Sequence, residues 1–165
     1  MDSYTKPDLA FMRSHPAHVI SLGFGSGLSP IAPGTVGSVF ALPLGWLLLQ
    51  LPLLMALLLV AVALVAGAAL TKITADALGV HDHGAIVWDE FVGMWLAMLF
   101  MPSTALGLAM AFALFRMFDI FKPWPINKLD ASIPGGWGIM LDDVLAGLLA
   151  GLVGWLICGF ILPMI

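Results

Sequence analysis

The chain has 165 residues, of which 61% are hydrophobic and only 10% are charged, and its mean hydropathy is +1.07. Soluble domains carry about 25% charged residues, so this composition cannot cover a surface exposed to water and indicates a membrane protein. The net charge of −4 and the pI near 5.3 argue against a nucleic-acid partner, which requires a basic face.

Residues 1–18 are polar and of mixed charge, and residues 1–28 are predicted to form a cytosolic or interfacial leader. They lack the apolar segment of a secretory signal peptide. Three stretches without Asp, Glu, Lys or Arg follow, at residues 38–71, 91–115 and 144–165. Most of the charged residues lie in short clusters between these stretches, and function is expected in those clusters.

The lengths of the uncharged stretches predict the helices, because a single crossing of a bilayer takes about 20 apolar residues. Residues 38–71 are too many for one crossing and contain Pro52, so they predict a helical hairpin. Residues 91–115 would fit one tilted helix, but Pro102 interrupts them and favours a second hairpin with short arms. Residues 144–165 fit one further helix.

The sequence therefore predicts an all-α fold, a polytopic membrane bundle of two helical hairpins and a C-terminal helix with four or five membrane segments. Five segments are favoured because they place every charged cluster on one side of the bilayer. All Lys and Arg residues lie in the leader or in the loops between hairpins, so this side is predicted to be cytosolic. The bilayer is thus a predicted partner, and the oligomeric state is left open.

Two pairs of adjacent carboxylates, Asp89-Glu90 and Asp142-Asp143, are each predicted to stand at the start of a helix. Acidic residues there complement the helix dipole, but that role accounts for one carboxylate of each pair rather than both. Hard oxygen ligands from two helix ends suit Mg²⁺, with water and phosphate oxygens completing its coordination. The pairs therefore predict a Mg²⁺ site. Adjacent side chains diverge by about 100° on a helix, so only some of the four are expected to contact the ion directly.

A glycine-rich segment precedes the first apolar helix and contains Gly34, Thr35 and Ser38. Free backbone N–H groups and the positive end of a helix can hold an anion at such a position. An ordinary helix start gives the same pattern, so the segment predicts phosphate binding only in combination with the other clusters.

Arg116, Asp119 and Lys122 follow one another at intervals of three and share one face of a helix. They would also fit a plain salt bridge followed by a lysine that reaches toward the interface. Charged residues this close to a membrane helix predict a functional site, in which Arg116 makes bidentate phosphate contacts and Lys122 a point-charge contact. The attacking group stays open between water activated at the metal with a carboxylate as base, and Asp119 as the nucleophile.

Together these segments predict metal-assisted phosphoryl chemistry on a lipid that reaches the site from one leaflet. The alternative is a small carrier whose acidic pairs bind a transported cation, but a carrier would place carboxylates near the bilayer midplane rather than at segment ends. A lipid transferase would be expected to carry a denser series of aspartates along one helix. The sequence His81-Asp82-His83 resembles a metal clip, but a solvated loop is the favoured interpretation.

Four stretches span residues 29–147 in this order: SPIAPGTVGS, VWDEFVGMW, FRMFDIFKPWPI and GGWGIMLDDVLAG. The series resembles the phosphatidylglycerophosphatase A family of bacterial membrane lipid phosphatases. The resemblance implies Mg²⁺-dependent hydrolysis of phosphatidylglycerophosphate, an anionic lipid phosphate, to phosphatidylglycerol and phosphate in phospholipid synthesis. It also implies a location in the bacterial inner membrane. With the apolar stretches and the positions of Lys and Arg, this predicts a multi-pass protein with its active site on the cytosolic face and one membrane-embedded phosphatase domain over residues 29–165.

The resemblance also marks the functional positions, to which the chemistry of the side chains assigns roles. The predicted metal ligands are Asp89, Glu90, Asp142 and Asp143. The predicted catalytic residues are Arg116, Asp119 and Lys122. The predicted phosphate-binding residues are Thr35, Ser38, Arg116 and Lys122.

Overall fold

The computed structural model describes residues 7–124, 133 and 135–161, with the backbone alone at residues 160 and 161. The ends of the predicted leader and of the last segment, and most of the loop after Trp124, lie outside the described residues. The described part contains helices and connecting loops and no strand, which confirms the predicted all-α class. The helices are α1 (Leu9–Ser14), α2 (Pro16–Ser21), the short 3₁₀ segment Gly23–Leu28, α3 (Pro33–Leu48), α4 (Leu53–Leu78), α5 (Trp88–Leu99), α6 (Ala105–Phe121) and α7 (Gly136–Leu156), which continues as the π-helical turn Ile157–Ile161.

Both predicted hairpin turns are confirmed. Helix α3 ends at Leu48 and α4 begins at Leu53, with Pro52 in an extended conformation directly before it. Helix α5 ends at Leu99, and α6 begins after Thr104, whose side chain accepts a hydrogen bond of 3.1 Å from the Gly107 N–H. A proline has no backbone N–H and so cannot donate the hydrogen bond that would continue a helix. A threonine cap accepts a hydrogen bond from a free N–H at the start of the next helix.

Two helices are long and apolar enough to cross a bilayer, namely α4 with 26 residues and the last helix, Gly136–Gly159, with 24 residues. Helix α3 is apolar but shorter. Helix α5 has 12 residues, which at about 1.5 Å per residue gives about 18 Å, well short of the hydrocarbon core of about 30 Å. The number of membrane crossings therefore stays a prediction.

Helix α5 is the centre of the bundle, and α3, α4, α6 and α7 all pack against it. Its apolar side chains Phe91, Val92 and Met94 are buried on all sides. The outer faces of α3, α4 and α7 expose large apolar side chains instead, and Leu54 on α4 is 70% exposed. An apolar surface of this extent is typical of contact with lipid rather than with water.

Helix α7 begins earlier than the sequence analysis predicts. It starts at Gly136, so Asp142 and Asp143 lie about 10 Å along its axis, inside the bundle, and not at the mouth of the helix. The prediction that this acidic pair opens a helix was wrong. The reason is the close packing of α7 against α4. Gly136 lies against the Ala68 carbonyl of α4, and this contact leaves no space for a side chain at Gly136. This close contact brings α7 deep into the bundle before its first acidic residue.

The leader is packed onto the bundle through the loop between α4 and α5. Helix α2 packs against α4, and the Val87 N–H donates a hydrogen bond of 2.8 Å to the Ser21 carbonyl. Gly27 lies against the Ala85 carbonyl. These contacts fix the chain just before α5, whose first turn carries the acidic pair Asp89-Glu90.

The expected solvated loop at residues 81–83 is ordered by its histidines. His83 is buried, and its Nδ1 accepts a hydrogen bond of 2.9 Å from the Ala85 N–H. Burial lowers the pKa of His83 below its ordinary value, because removal from water disfavours the charged imidazolium. His81 is exposed, and its Nε2 accepts a hydrogen bond of 2.7 Å from the Gly135 N–H at the start of α7. The prediction of a solvated loop was therefore wrong for His83.

Candidate active site

Four helices bring polar groups to one place inside the apolar bundle. The first turns of α3 and α5 meet the last turns of α6 and the second turn of α7 there. The site is therefore a polar interior built from segments that are far apart in the sequence.

Three carboxylates form a compact acidic cluster. Asp89, Glu90 and Asp143 each offer an oxygen that lies within 4.8 Å of the other two. Asp89 Oδ1, Glu90 Oε2 and Asp143 Oδ2 are buried and have no hydrogen-bond partner among the described residues. Ionised carboxylates at such separations repel one another strongly unless a cation lies between them. Buried oxygens of this kind are the ligands that hard divalent cations prefer, so the donor set fits Mg²⁺.

Asp142, the fourth predicted metal ligand, is not brought into this cluster. Its Oδ2 lies 2.6 Å from Lys122 Nζ, so the pair links α7 to the end of α6. Adjacent residues on a helix point about 100° apart, which is why Asp143 can face the other carboxylates while Asp142 faces Lys122. Lys122 ends α6 in a left-handed conformation with φ of +39°, which turns the chain away from the helix at this point.

Arg116 lies beside the acidic cluster and is held by two groups. Its Nη1 is 2.5 Å from Asp119 Oδ2, one turn further along α6, and 3.4 Å from Ser38 Oγ on α3. Ser38 in turn donates a hydrogen bond of 2.9 Å to the Gly34 carbonyl. The Arg116 side chain is 14% exposed, and its Nε has no hydrogen-bond partner among the described residues. Asp119 also contacts Asp143, which joins the cationic and acidic parts of the site.

The start of α3 completes the site. Ala32 precedes the helix with φ of +46° and gives no side-chain cap, so the N–H groups of the first turn at Gly34 and Thr35 have no partner within the helix. Gly34 lies directly against the Glu90 carboxylate and near Arg116 Nη1, and a side chain at this position would overlap with Glu90. The predicted phosphate-binding residue Thr35 is half-buried in this turn.

The chain matches a family model described as phosphatidylglycerophosphatase A over residues 19–158, which include every predicted site residue. The chain belongs to the phosphatidylglycerophosphatase A family. The resemblance seen in the four sequence stretches is thereby confirmed, and membership of a phosphatidylglycerophosphatase A family makes the protein a phosphatase. The carrier alternative finds no support in this family.

Individual relatives agree with the family. Two proteins named phosphatidylglycerophosphatase A, from Escherichia coli (strain K12) and Haemophilus influenzae, are each 46% identical to the chain. The alignments cover 83% of this chain and 80% of the E. coli protein, and 84% of this chain and 86% of the H. influenzae protein. A protein from Bacteroides thetaiotaomicron, provisionally named phosphatidylinositol-3-phosphatase, is 41% identical over 78% of this chain and 85% of its own length. No solved structure matches the chain.

Within this candidate site, the structure brings together most of the residues that the sequence predicts. Asp89, Glu90 and Asp143 form the cluster, and Arg116 and Asp119 adjoin it. Their roles stay predictions, as do those of the remaining residues, Thr35, Ser38, Lys122 and Asp142. Ser38 donates its hydroxyl proton to the Gly34 carbonyl and accepts a hydrogen bond from Arg116, so it supports the arginine, and no sequence pattern indicated this role.

Replacing Gly34 by Ala is expected to lower the phosphatase activity by about 10- to 100-fold, the size of effect that a displacement of about 1 Å in an active site produces. The added methyl group would meet the Glu90 carboxylate, which must then move out of the acidic cluster. Gly84→Ala is the matched control, because a side chain at Gly84 meets open space. Phosphate release by both purified variants measures the effect, and equal activity of the two would show that the position of Glu90 is not critical.

Proposed function

We propose that this protein is a Mg²⁺-dependent phosphatase that converts phosphatidylglycerophosphate to phosphatidylglycerol and phosphate at the cytosolic face of the bacterial inner membrane. The observation that carries the proposal is the buried cluster of Asp89, Glu90 and Asp143 next to the Arg116–Asp119 pair. A cation site and an arginine with an unused buried N–H are the two elements that a phosphate monoester needs. The names of the E. coli and H. influenzae relatives supply the substrate.

The acidic cluster holds the cofactor in this proposal. Asp89, Glu90 and Asp143 would hold the cation through three carboxylates from two helices. The bound cation supplies positive charge against the phosphate oxygens. Because the carboxylates are fixed by α5 and α7 before the substrate arrives, little reorganisation accompanies the reaction.

Arg116 binds the phosphate that is removed. Its guanidinium is fixed by Asp119 and Ser38, and Nε remains as a donor for a phosphate oxygen. Gly34 lies near Arg116 Nη1, and the free first-turn N–H groups of Gly34 and Thr35 add donors at the positive end of α3. Lys122 is more exposed than Arg116 and is paired with Asp142, so it adds a cation at the outer edge of the site.

Water rather than Asp119 attacks the phosphorus in this scheme. Asp119 Oδ2 is held by Arg116 at 2.5 Å, and the same side chain contacts Asp143. Because these contacts occupy Asp119, it orients the arginine in this scheme, and another carboxylate of the site would accept the proton of the attacking water. Acid quenching during turnover of ³²P-labelled substrate should therefore leave no labelled protein, whereas a labelled aspartyl phosphate would make Asp119 the nucleophile.

The substrate reaches the site from the bilayer. The exposed apolar faces of α3, α4 and α7 surround a polar interior at the ends of α3 and α5, so a lipid headgroup can enter while its chains stay in the hydrocarbon region. The positive-inside rule, applied to the Lys and Arg residues of the leader and loops, supports a cytosolic position for this end of the bundle.

Purified protein in detergent micelles is expected to release phosphate from phosphatidylglycerophosphate in the presence of Mg²⁺ and to lose this activity in EDTA. Phosphatidylinositol 3-phosphate is the comparison substrate, because the B. thetaiotaomicron relative is named for it, and it should be hydrolysed at least about tenfold more slowly. Full activity in EDTA would contradict the metal site. A preference for phosphatidylinositol 3-phosphate would contradict the proposed substrate.

A further inference from the structure

One face of α3 carries a line of apolar side chains that no other helix of the described bundle covers. Val36, Phe40, Leu44 and Leu47 follow one another at intervals of four, four and three residues, which places them on the same side of the helix. Phe40, Leu44 and Leu47 are 54%, 38% and 55% exposed. Although α3 and α4 form a hairpin, both pack against α5, and the two arms make almost no contact with each other among the described residues.

Two open grooves follow this face of α3. The first has a volume of about 1060 Å³ and lies between the leader and the first half of α3, with Phe24 and Phe40 in its lining. The second has a volume of about 680 Å³ and lies between the second half of α3 and α4, with Leu44, Trp88 and Trp95 in its lining. Phe24 lines the first groove and Trp88 lines the second, and their ring centroids are 6.3 Å apart, so the two grooves are neighbours on this face of the bundle. We call the two grooves together the α3 groove.

The backbone conformation at Phe24 indicates that the aromatic contact in the α3 groove is enforced by the surrounding structure. Gly23, Phe24 and Gly25 all have positive φ angles, of 53°, 56° and 103°. The left-handed region costs free energy for any residue with a side chain, and it holds the exposed Phe24 ring edge-on to Trp88 and Phe91. Strain of this kind persists where the surrounding structure enforces it, often at ligand sites.

The α3 groove has the length and the position of a lipid chain. From Val36 to Leu47 the helix rises about 17 Å, and one leaflet of a hydrocarbon core is about 15 Å thick. Val36 follows Gly34 by two residues, about 200° around α3, so the groove and the acidic cluster lie on opposite sides of the first turn of this helix. In phosphatidylglycerophosphate, a glycerol and a phosphodiester separate the terminal phosphate from the diacylglycerol. This linker can pass over the start of α3.

We propose that the α3 groove holds an acyl chain of the lipid substrate while the terminal phosphate lies beside Arg116 and the acidic cluster. This proposal rests on the proposed function and adds to it the site that recognises the lipid tail. A chain of methylene groups fits the lining because the part of the groove between α3 and α4 is almost wholly apolar.

The proposal predicts that a bulky residue in the groove discriminates between substrates by chain length. Leu44→Trp should lower the ratio of kcat/KM for dioleoyl to dihexanoyl phosphatidylglycerophosphate by about tenfold, because an indole takes the space of two or three methylene groups. Leu54→Trp is the matched control, since Leu54 is a lipid-facing leucine of α4 outside the groove lining, and it should leave the ratio within twofold of the parent. An unchanged ratio in Leu44→Trp, with both variants folded by circular dichroism, would overturn the proposal.

A second measurement separates this proposal from the proposed function, because it needs no turnover. Phosphatidylglycerol with a diazirine at the middle of one acyl chain should crosslink to the peptide that contains Phe40 and Leu44, and Leu44→Trp should reduce this crosslink at least threefold relative to Leu54→Trp. Labelling spread evenly over α3, α4 and α7 would mean ordinary lipid contact and would overturn the α3 groove. Crosslinking in the groove by a protein that hydrolyses neither substrate would instead contradict the proposed function alone.

Discussion

Replacing Asp143 by Asn is expected to lower kcat for phosphate release by about 1000-fold, or about 4 kcal/mol of transition-state stabilisation. Asp143 is one of three buried carboxylates whose oxygens lie within 4.8 Å of one another. Asparagine keeps the size of the side chain and removes its charge, so the cation site loses a ligand without a cavity in α7. Steady-state kinetics with phosphatidylglycerophosphate in detergent micelles measures the loss.

Asp143→Asn, which is expected to lower kcat, should raise the thermal stability of the metal-free protein. Without metal the three carboxylates repel one another, so Asp143→Asn should raise the Tm in EDTA, as loss of a strained functional group often does. Mg²⁺ should raise the Tm of the parent and have little effect on the variant, because a ligand stabilises only the state that binds it. Asp76→Asn is the matched control, since Asp76 is exposed and paired with Lys72 on α4. If Asp143→Asn kept the parental kcat and the Mg²⁺-dependent Tm, Asp143 would not be a ligand.

The main helices could be predicted because prolines, which cannot continue a helix, mark their ends in the sequence. Pro52 and Pro102 lie within long uncharged stretches, and the chain turns between two helices at each of them. The central position of α5 could not be predicted in this way. Its 12 residues resemble the arm of a hairpin, and only the packing of four other helices shows that it is buried on every side.

The candidate site could be predicted in outline because an apolar chain has few places for charge. Arg116, Asp119, Glu90 and Asp143 come from three helices, and the structure brings them together as the charge clusters indicate. The pairing of Asp142 with Lys122 could not be predicted, since it depends on the rotation of α7 about its axis. That rotation is fixed by contacts such as Gly147 against the Gly93 backbone, which no local pattern reports.

The α3 groove and the ordered histidine loop could not be predicted from the sequence for a second reason. Val36, Phe40 and Leu44 form an apolar stripe in the sequence, but a stripe does not reveal whether another helix covers it. His83 lies in a polar segment for which the sequence predicts a solvated loop, yet its side chain is buried, and it lines the same cavity as the leader residues Gly27 and Leu28. In both cases the outcome depends on contacts between distant segments.

Replacing Arg116 by Lys is expected to lower kcat by about 100-fold, and replacing it by Ala by about 1000-fold, as for the loss of a donor that stabilises charge in the transition state. Lysine keeps the positive charge but has a single nitrogen, so it cannot occupy the positions of both Nη1, which contacts Asp119 and Ser38, and Nε, which is left for a phosphate oxygen. Arg13→Ala is the control, because Arg13 is an exposed residue of α1 outside the site. An Arg116→Lys variant with full turnover would show that charge alone suffices at this position.

A structural role for Arg116 can be separated from a catalytic one by a second substitution. Arg116→Ala leaves Asp119, whose side chain is 13% exposed, as an unpaired carboxylate beside Glu90 and Asp143, which should lower the free energy of unfolding by about 3 kcal/mol. Adding Asp119→Asn removes that charge, so the double variant should regain most of the parental Tm. Because the phosphate still lacks its arginine, the double variant should stay as inactive as Arg116→Ala. Recovery of activity together with stability would mean that Arg116 serves only to neutralise Asp119.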